Sequence, residues 1–371
     1  MWQLTFVLRV KFLRGGVFLE KLFMKIQFNE DFENIVGLEN LLEAWKEFLR
    51  GKRSRRDVQE FSFQLMDNII LLHNELINHT YRHGGYQGFN ISDPKPRNIH
   101  KASVRDRLLH HAIYRKLYPF FDRTFIADSF SCRIGKGTHR ALNHFRRFAY
   151  IVSKNNTRTC WILKCDIKKF FANIDHKILR DILANYIKNQ DILWILHEIV
   201  ESFSSVRPRV GPPSPLGYGR AGLPLGNLTS QLLVNIYMNE FDQFVKHRLK
   251  AKHYIRYADD FAILSDNHTW LQEQITPIQE FLTSQLKLEL HPDKVFIKTL
   301  ASGVDFLGWV HFSDHRILRT TTKRRMIKRV EEMPLPATLN SYLGLLKHGN
   351  THGLQKEIYK QFLLHKDEDI F

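Results

Sequence analysis

At 371 residues, 43% hydrophobic and 25% charged, the chain can build two or three lobes, and it contains no apolar run long enough to span a membrane. Its 55 Lys and Arg outnumber 38 Asp and Glu, and the resulting charge of +17 favours a polyanionic partner held through phosphate contacts. Without a long basic amphipathic segment, nucleic acid is the better expectation than anionic lipid. Cys132, Cys160 and Cys165 show no CxxC spacing, which argues for reduced thiols in a cytoplasmic protein and against a disulfide framework or a zinc site. The 19 histidines include no HExxH or HxH pattern, and adjacent His110 and His111 fit a helix lining better than a metal site.

Along the chain, the first 23 residues mix apolar residues with Arg9, Lys11 and Arg14, which break any signal-peptide core, and Met24 is an alternative start. Residues 38–50 read as a helix and are followed by the basic cluster Arg50–Asp57. Phe61, Leu65, Ile69, Leu72 and Leu76, spaced by three and four, predict one amphipathic helix. "ISDPKPRNIH" (91–100) is extended and Pro-punctuated, carrying Lys95 and Arg97. "SFSCRIGKGTHRALNHF" (129–145) is a basic turn entering a helix. In "CWILKCDIKKFFANIDH" (160–176), alternation predicts a strand that ends at Asp166. Five prolines and five glycines make 205–226 a loop, after which Asn227 or Thr229 caps a helix burying Leu233, Ile236, Tyr237, Phe241 and Phe244. Two or three short strands are expected within 290–312, and the last fifty residues are basic and helical.

"RYADDFAIL" (256–264) places Asp259 and Asp260 between two apolar runs with strand alternation. Adjacent carboxylates at a hairpin tip are either a solvated turn or ligands for a hard divalent cation, which takes carboxylate oxygens and relieves their repulsion. The order along the chain favours the second reading. A strand delivering Asp166, a Gly-rich loop with a helix, and a hairpin delivering Asp259 and Asp260 suit phosphoryl transfer, which needs positioning and cations more than covalent chemistry. With the basic surplus, this arrangement looks like a template-directed polymerase.

From about residue 38 the chain also resembles the reverse transcriptases. "CDIKKFFANIDH", "GLPLGNLTSQ", "YADD", "LHPDK" and "FLGW" resemble that family's motifs in order, and "KPRNIH" with "RDRLLHHA" resembles its bacterial fingers motifs. The resemblance implies an α+β right-hand fold. An N-terminal extension (1–37) precedes fingers (38–160, interleaved with palm), a palm of antiparallel sheet backed by helices (161–315), and a helical thumb (316–371). It implies two Mg²⁺ ions, with Mn²⁺ able to substitute, held by Asp166, Asp259, Asp260 and the Ile167 carbonyl. Lys95 and Arg97 correspond to residues gripping the incoming triphosphate, Phe171 to the wall against a sugar 2′-hydroxyl, and Lys294 to a proton donor for pyrophosphate. Phe306, Leu307, Gly308 and Trp309 correspond to the primer grip.

One departure is informative. Many reverse transcriptases have Gln before the glycine of the second motif and Pro after its serine. Here Leu225 precedes Gly226 and Gln231 follows Ser230, which resembles the enzymes of diversity-generating retroelements. These copy a template RNA with errors at adenines and work with a small basic helical accessory protein. The implied partners are template RNA, primer, cDNA and dNTPs, in a bacterial, archaeal or phage-encoded cytoplasmic protein. The 62 residues after Trp309 suit a thumb but not an added ribonuclease H or endonuclease domain. Retron-like or group II intron-like enzymes, or a maturase-like RNA clamp, are the alternatives.

Overall fold

Apolar periodicity sets most element boundaries in the computed structural model, which describes residues 6–13, 16–23, 26–92, 96–205 and 220–366. Strands β1 (Phe6–Leu13) and β2 (Gly16–Phe23) form an antiparallel hairpin. Helices α1 (Phe32–Val36), α2 (Leu38–Phe48), α3 (Arg56–Phe63) and α4 (Leu65–Ile77) precede a second hairpin, β3 (Tyr86–Ile91) with β4 (Arg97–Ala102). Then come α5 (Val104–Asp122), α6 (Thr138–Val152), β5 (Trp161–Asp166), a 3-10 turn over Phe170–Asn173, α7 (His176–Tyr186) and α8 (Gln190–Glu201). Helix α9 (Leu228–His247) leads to β6 (Tyr254–Tyr257), β7 (Asp260–Ser265), α10 (His268–Glu273) and α11 (Ile275–Leu286). After a 3-10 turn at Pro292–Lys294 come β8 (Phe296–Thr299), β9 (Val304–Phe306), β10 (Trp309–His311) and β11 (Arg316–Leu318). Helices α12 (Thr320–Glu332), α13 (Pro336–Leu346) and α14 (His352–Lys366) follow, matching the basic helical reading of this region.

Two expectations change. The amphipathic segment 61–76 is two helices, because Gln64 leaves the helical region (φ −116, ψ 44). Below the break Phe61 packs on Trp45, with ring centroids 5.2 Å apart, whereas beyond it Ile69, Leu72 and Leu76 are fully buried. Helix α9 is buried well beyond the single face expected, since Leu232, Val234 and Met238 are buried as well as Leu233, Ile236, Tyr237 and Phe241. Most of the Pro/Gly-rich loop lies outside the described residues.

The chain divides into two compact units, Met1–Thr124 with Phe171–Tyr237, and Phe125–Phe170 with Met238–Phe371. In the first, the buried faces of α1, α2, α4 and α5 form a helical core, and Asn40 Nδ2 donates to the carbonyls of Ile35 (2.6 Å) and Ala112 (3.1 Å). Helix α5 starts at a reciprocal cap, with Asp106 N–H donating to Ser103 Oγ and Ser103 O–H donating to the Asp106 carboxylate.

In the second unit, an antiparallel sheet of order β6-β7-β5-β8 carries the expected strand in its middle. One face meets Phe241, whose ring lies 5.1 Å from that of Phe261. The other continues into a core joining α6, the β9–β10 hairpin and α12–α14 through Phe145, Ile162, Phe306, Trp309, Met326, Leu346 and Ile358. Trp309 is wedged beside Gly349, where an added Cβ would stand 2.0 Å from Trp309 Cζ3. Gly349→Ala is therefore expected to lower stability by about 1–3 kcal/mol through overpacking, read as a drop in thermal midpoint. An unchanged midpoint would show that the Trp309 ring is not fixed.

Candidate catalytic centre

The antiparallel register sets Asp166, the last residue of β5, directly opposite Asp260, the first residue of β7. Side chains so paired stand close, and like charges there are destabilising. Lysines offset the repulsion. Lys294 Nζ lies 2.9 Å from Asp166 Oδ1, and Lys164 Nζ lies 3.0 Å from Asp260 Oδ1. The second contact is an ion pair by distance but falls outside hydrogen-bond geometry, and Asp260 Oδ1 is a buried oxygen without a hydrogen-bond partner. Burial pushes the Asp260 carboxyl up to about 6; Lys164 opposes the shift, while Asp166 and Asp259 add to it.

Asp259 sits in the two-residue turn between β6 and β7, after Ala258. Ala258 has φ +56 at a position where hairpins favour glycine. Several groups hold this conformation. Ile167 N–H donates to the Asp259 carbonyl at 3.1 Å, and His291 N–H to the Asp166 carbonyl at 2.7 Å. Arg256 Nη1 donates to the Ala258 carbonyl at 3.1 Å, while its Nε and Nη2 grip Asp242 at 2.7 and 2.6 Å. Tyr254 O–H donates to the same carboxylate at 2.7 Å, and Arg256 Nη2 also reaches Ser129 Oγ at 3.1 Å. Burial disfavours the Arg256 charge, yet Asp242 outweighs burial and the guanidinium's pKa rises.

Arg256, Asp242 and the ion-pairing role of Lys164 were missed from sequence. The available signal was a lone Arg opening the hairpin motif; Asp242 falls on the polar side of α9 and gave none. Removing one partner of such a buried pair costs about 3–5 kcal/mol.

Other expected site residues belong to the first unit. Arg97 opens β4, exposed and opposite Ile91; Lys95 lies outside the described residues. The second-motif loop is fastened to β4. His100 N–H donates to the Leu225 carbonyl at 3.0 Å, and Asn227 Nδ2 donates to the His100 carbonyl at 2.9 Å. Between them Gly226 has φ +105, and a Cβ there would come within 2.8 Å of Ile99 Cγ2. Glycine is required by both conformation and space. Leu225 and Gln231 are half-buried. Phe171 is half-buried in the 3-10 turn and its carbonyl accepts from Leu223 N–H at 2.8 Å, whereas Phe170 is 3% exposed and belongs to the core.

The expected primer-grip segment is the β9–β10 hairpin. Phe306 and Trp309 form its closing pair with both side chains buried, so only the turn of Leu307 (φ +51) and Gly308 (φ +86) is presented.

Among the described residues no three metal-ligating side chains converge as a ready site. The donor set nevertheless fits a hard divalent cation: all-oxygen, from carboxylates facing across a fixed register, with one buried oxygen lacking a hydrogen bond.

A family profile for the reverse transcriptases, RNA-dependent DNA polymerases, matches residues 91–311, and the chain belongs to that family. Its helices and antiparallel sheet are the α+β polymerase fold expected from the motifs. Protein YkfC of Escherichia coli K12 is 24% identical over 281 residues, covering 66% of this chain and 68% of that protein. The group II intron-encoded protein LtrA of Lactococcus lactis subsp. cremoris is 24% identical over 319 residues, covering 68% of this chain and 49% of its own length. A putative COX1/OXI3 intron 2 protein of Saccharomyces cerevisiae is 20% identical over 61% of this chain, which spans only 30% of that relative. A telomerase structure from Candida albicans aligns at TM-score 0.48 and 11% identity, covering 77% of this chain and 55% of that one. Among the described residues no helix is long and apolar enough to cross a membrane.

Asp260 yields a pH prediction. A carboxylate must lose its proton to bind a cation, and this one keeps it up to about pH 6 in the metal-free protein. Apparent Mg²⁺ affinity should rise up to about tenfold per pH unit below 6 and level off above about 7. Half-saturating Mg²⁺ in primer extension, measured from pH 5 to 8, reads this directly. A constant value below pH 6 would remove Asp260 from the cation site.

Proposed function

We propose that the chain is an RNA-directed DNA polymerase whose cation site is formed by Asp166, Asp259, Asp260 and the Ile167 carbonyl. The observation that carries this reading is the Asp166–Asp260 cross-strand pair, with a buried Asp260 oxygen that meets Lys164 as an ion pair but has no hydrogen-bond partner. Two Mg²⁺ ions bound there, or Mn²⁺ in their place, would activate the primer 3′-hydroxyl and neutralise the leaving pyrophosphate. The remaining roles fall to side chains. Arg97, with Lys95, offers charge-assisted hydrogen bonds to the dNTP triphosphate. Phe171 excludes a ribose 2′-hydroxyl by its bulk, and the Leu307–Gly308 turn supports the primer strand. Lys294, beside Asp166, is the group to protonate pyrophosphate. Fingers, palm and thumb correspond to 38–160, 161–315 and 316–371.

The finer reading is a diversity-generating retroelement enzyme, error-prone at template adenines, acting in the cytoplasm with a small basic helical accessory protein. Leu225 and Gln231 support it. A group II intron-like enzyme is the second reading, favoured by the similarity to LtrA.

Asp166→Ala and Asp259→Ala should each abolish dTTP incorporation on poly(rA)–oligo(dT) while leaving RNA affinity largely intact. Near-wild-type extension by either variant would refute the cation assignment. Leu225→Gln restores a hydrogen-bonding side chain next to Gly226, and one such bond is worth about 1 kcal/mol, or roughly fivefold in discrimination. Deep sequencing of cDNA should show errors opposite template adenine falling by up to that factor. An unchanged adenine error rate at comparable activity would remove Leu225 from fidelity, and a parent enzyme without adenine bias, even with its accessory protein, would favour the group II reading.

A further inference from the structure

A cavity of about 620 Å³ lies wholly within the first unit, between α7, α8 and the segments around Arg82 and Arg220. None of the site residues discussed above lines it. Its rim carries Arg82, Lys177, Arg180 and Arg220, whose side chains are 71%, 71%, 43% and 64% exposed. Lower in the cavity, Glu198 and Glu201 are about one-fifth exposed. Three guanidiniums thus share two carboxylates, while Lys177 is paired with Asp181, which does not line the cavity.

Glu201 is already crowded. Arg220 Nη1 stands 3.1 Å from one oxygen, and Arg180 Nη1 (3.9 Å) and His176 Nδ1 (3.5 Å) approach the other. Arg82 Nη1 meets Glu198 at 3.3 Å. All three guanidiniums are engaged here through Nη1, so among the described contacts their Nη2 and Nε donors remain for a further acceptor. His176 is 1% exposed and lines the same cavity. Its Nε2–H donates to the Gly222 carbonyl at 2.7 Å, and its Nδ1 has no hydrogen-bond partner.

We infer that this cavity binds phosphodiester groups of an RNA strand, as an anchor separate from the nucleotide-addition residues. Several planar forks with unused donors and a surplus of positive charge suit phosphate oxygens. Among the described residues no Phe, Tyr or Trp lines the cavity, the His83 and His176 rings are buried, and His197 is held by Arg180, so it offers mainly phosphate contacts and little stacking surface for a base. That combination fits a strand's backbone better than a free nucleotide. RNA as the strand rests on the reverse transcriptase reading.

The test uses the full chain and a single-stranded RNA oligonucleotide, with affinity followed by fluorescence anisotropy from low to moderate salt. Arg180→Gln with Arg220→Gln should weaken binding about tenfold and reduce the log–log salt slope by roughly 1–2. Lys46→Gln with Lys188→Gln removes the same charge from exposed residues outside the cavity and should change both quantities much less. Glu198→Gln should act in the opposite direction, tightening binding by roughly threefold, because a competing carboxylate becomes neutral. If the first double variant loses its cooperative melt, Lys177→Glu, at an exposed position, replaces it.

Equal behaviour of the cavity and control doubles, or unchanged binding by Lys177→Glu when that variant is used, overturns the anchor. Duplex DNA competing as well as RNA overturns the choice of RNA. Primer extension by the unsubstituted protein separates the two readings. Extension with an unaltered salt slope in the cavity variant defeats the anchor alone, whereas no extension with a reduced slope defeats the polymerase reading and leaves a nucleic-acid phosphate site.

Discussion

Two carboxylates forced to face one another across adjacent strands are the constraint around which the second unit is arranged. The pairing of β5 with β7 fixes Asp166 opposite Asp260, and the buried, apolar sheet prevents either strand from slipping by one residue without exposing its core side chains. Repulsion must therefore be met locally, by lysines or by bound cations. Lys164 comes from β5 itself and Lys294 from the 3-10 turn before β8. Both counter-charges are consequently tied to the sheet that creates the need for them.

The turn carrying Asp259 shows how a strained segment is maintained. Alanine in a left-handed conformation is disfavoured by roughly 1–2 kcal/mol, and such geometry persists where surroundings over-determine it. Arg256 supplies part of that determination, reaching from the buried Asp242 carboxylate to the Ala258 carbonyl. The charged pair contributes more to the shape of the turn than to net stability, since a buried ion pair gains little over a well-packed apolar one. A neutral isosteric replacement would keep the packing and lose the tether.

Much of this was legible in sequence. Alternation placed Asp166 at a strand end, and the apolar runs around Asp259–Asp260 placed those acids at a hairpin, because periodicity reports which face is buried. The break at Gln64 was not legible, since no glycine or proline marks it and only packing of Phe61 on Trp45 reveals it. The all-round burial of α9 was hidden because Asn235, Asn239 and Asp242 look like an exposed face, yet all are buried. In the "FLGW" segment strand pairing turns Phe306 and Trp309 inward, a difference among the four residues that their sequence does not show. The cavity flanked by Arg82 and Arg220 draws on stretches more than a hundred residues apart, a proximity that no local pattern encodes.

Each unit is assembled from two separated stretches of chain. On the ribosome this imposes an order of events. Strand β5 is synthesised long before β7 and β8, the strands that flank it on either side. Until then "WILKCD", buried in the finished sheet, has two open edges during translation, a hazard for pairing with other nascent chains. The charged residues at its end and within it, Asp166 and Lys164, would then serve the nascent chain as solubilising gatekeepers before they serve any chemistry.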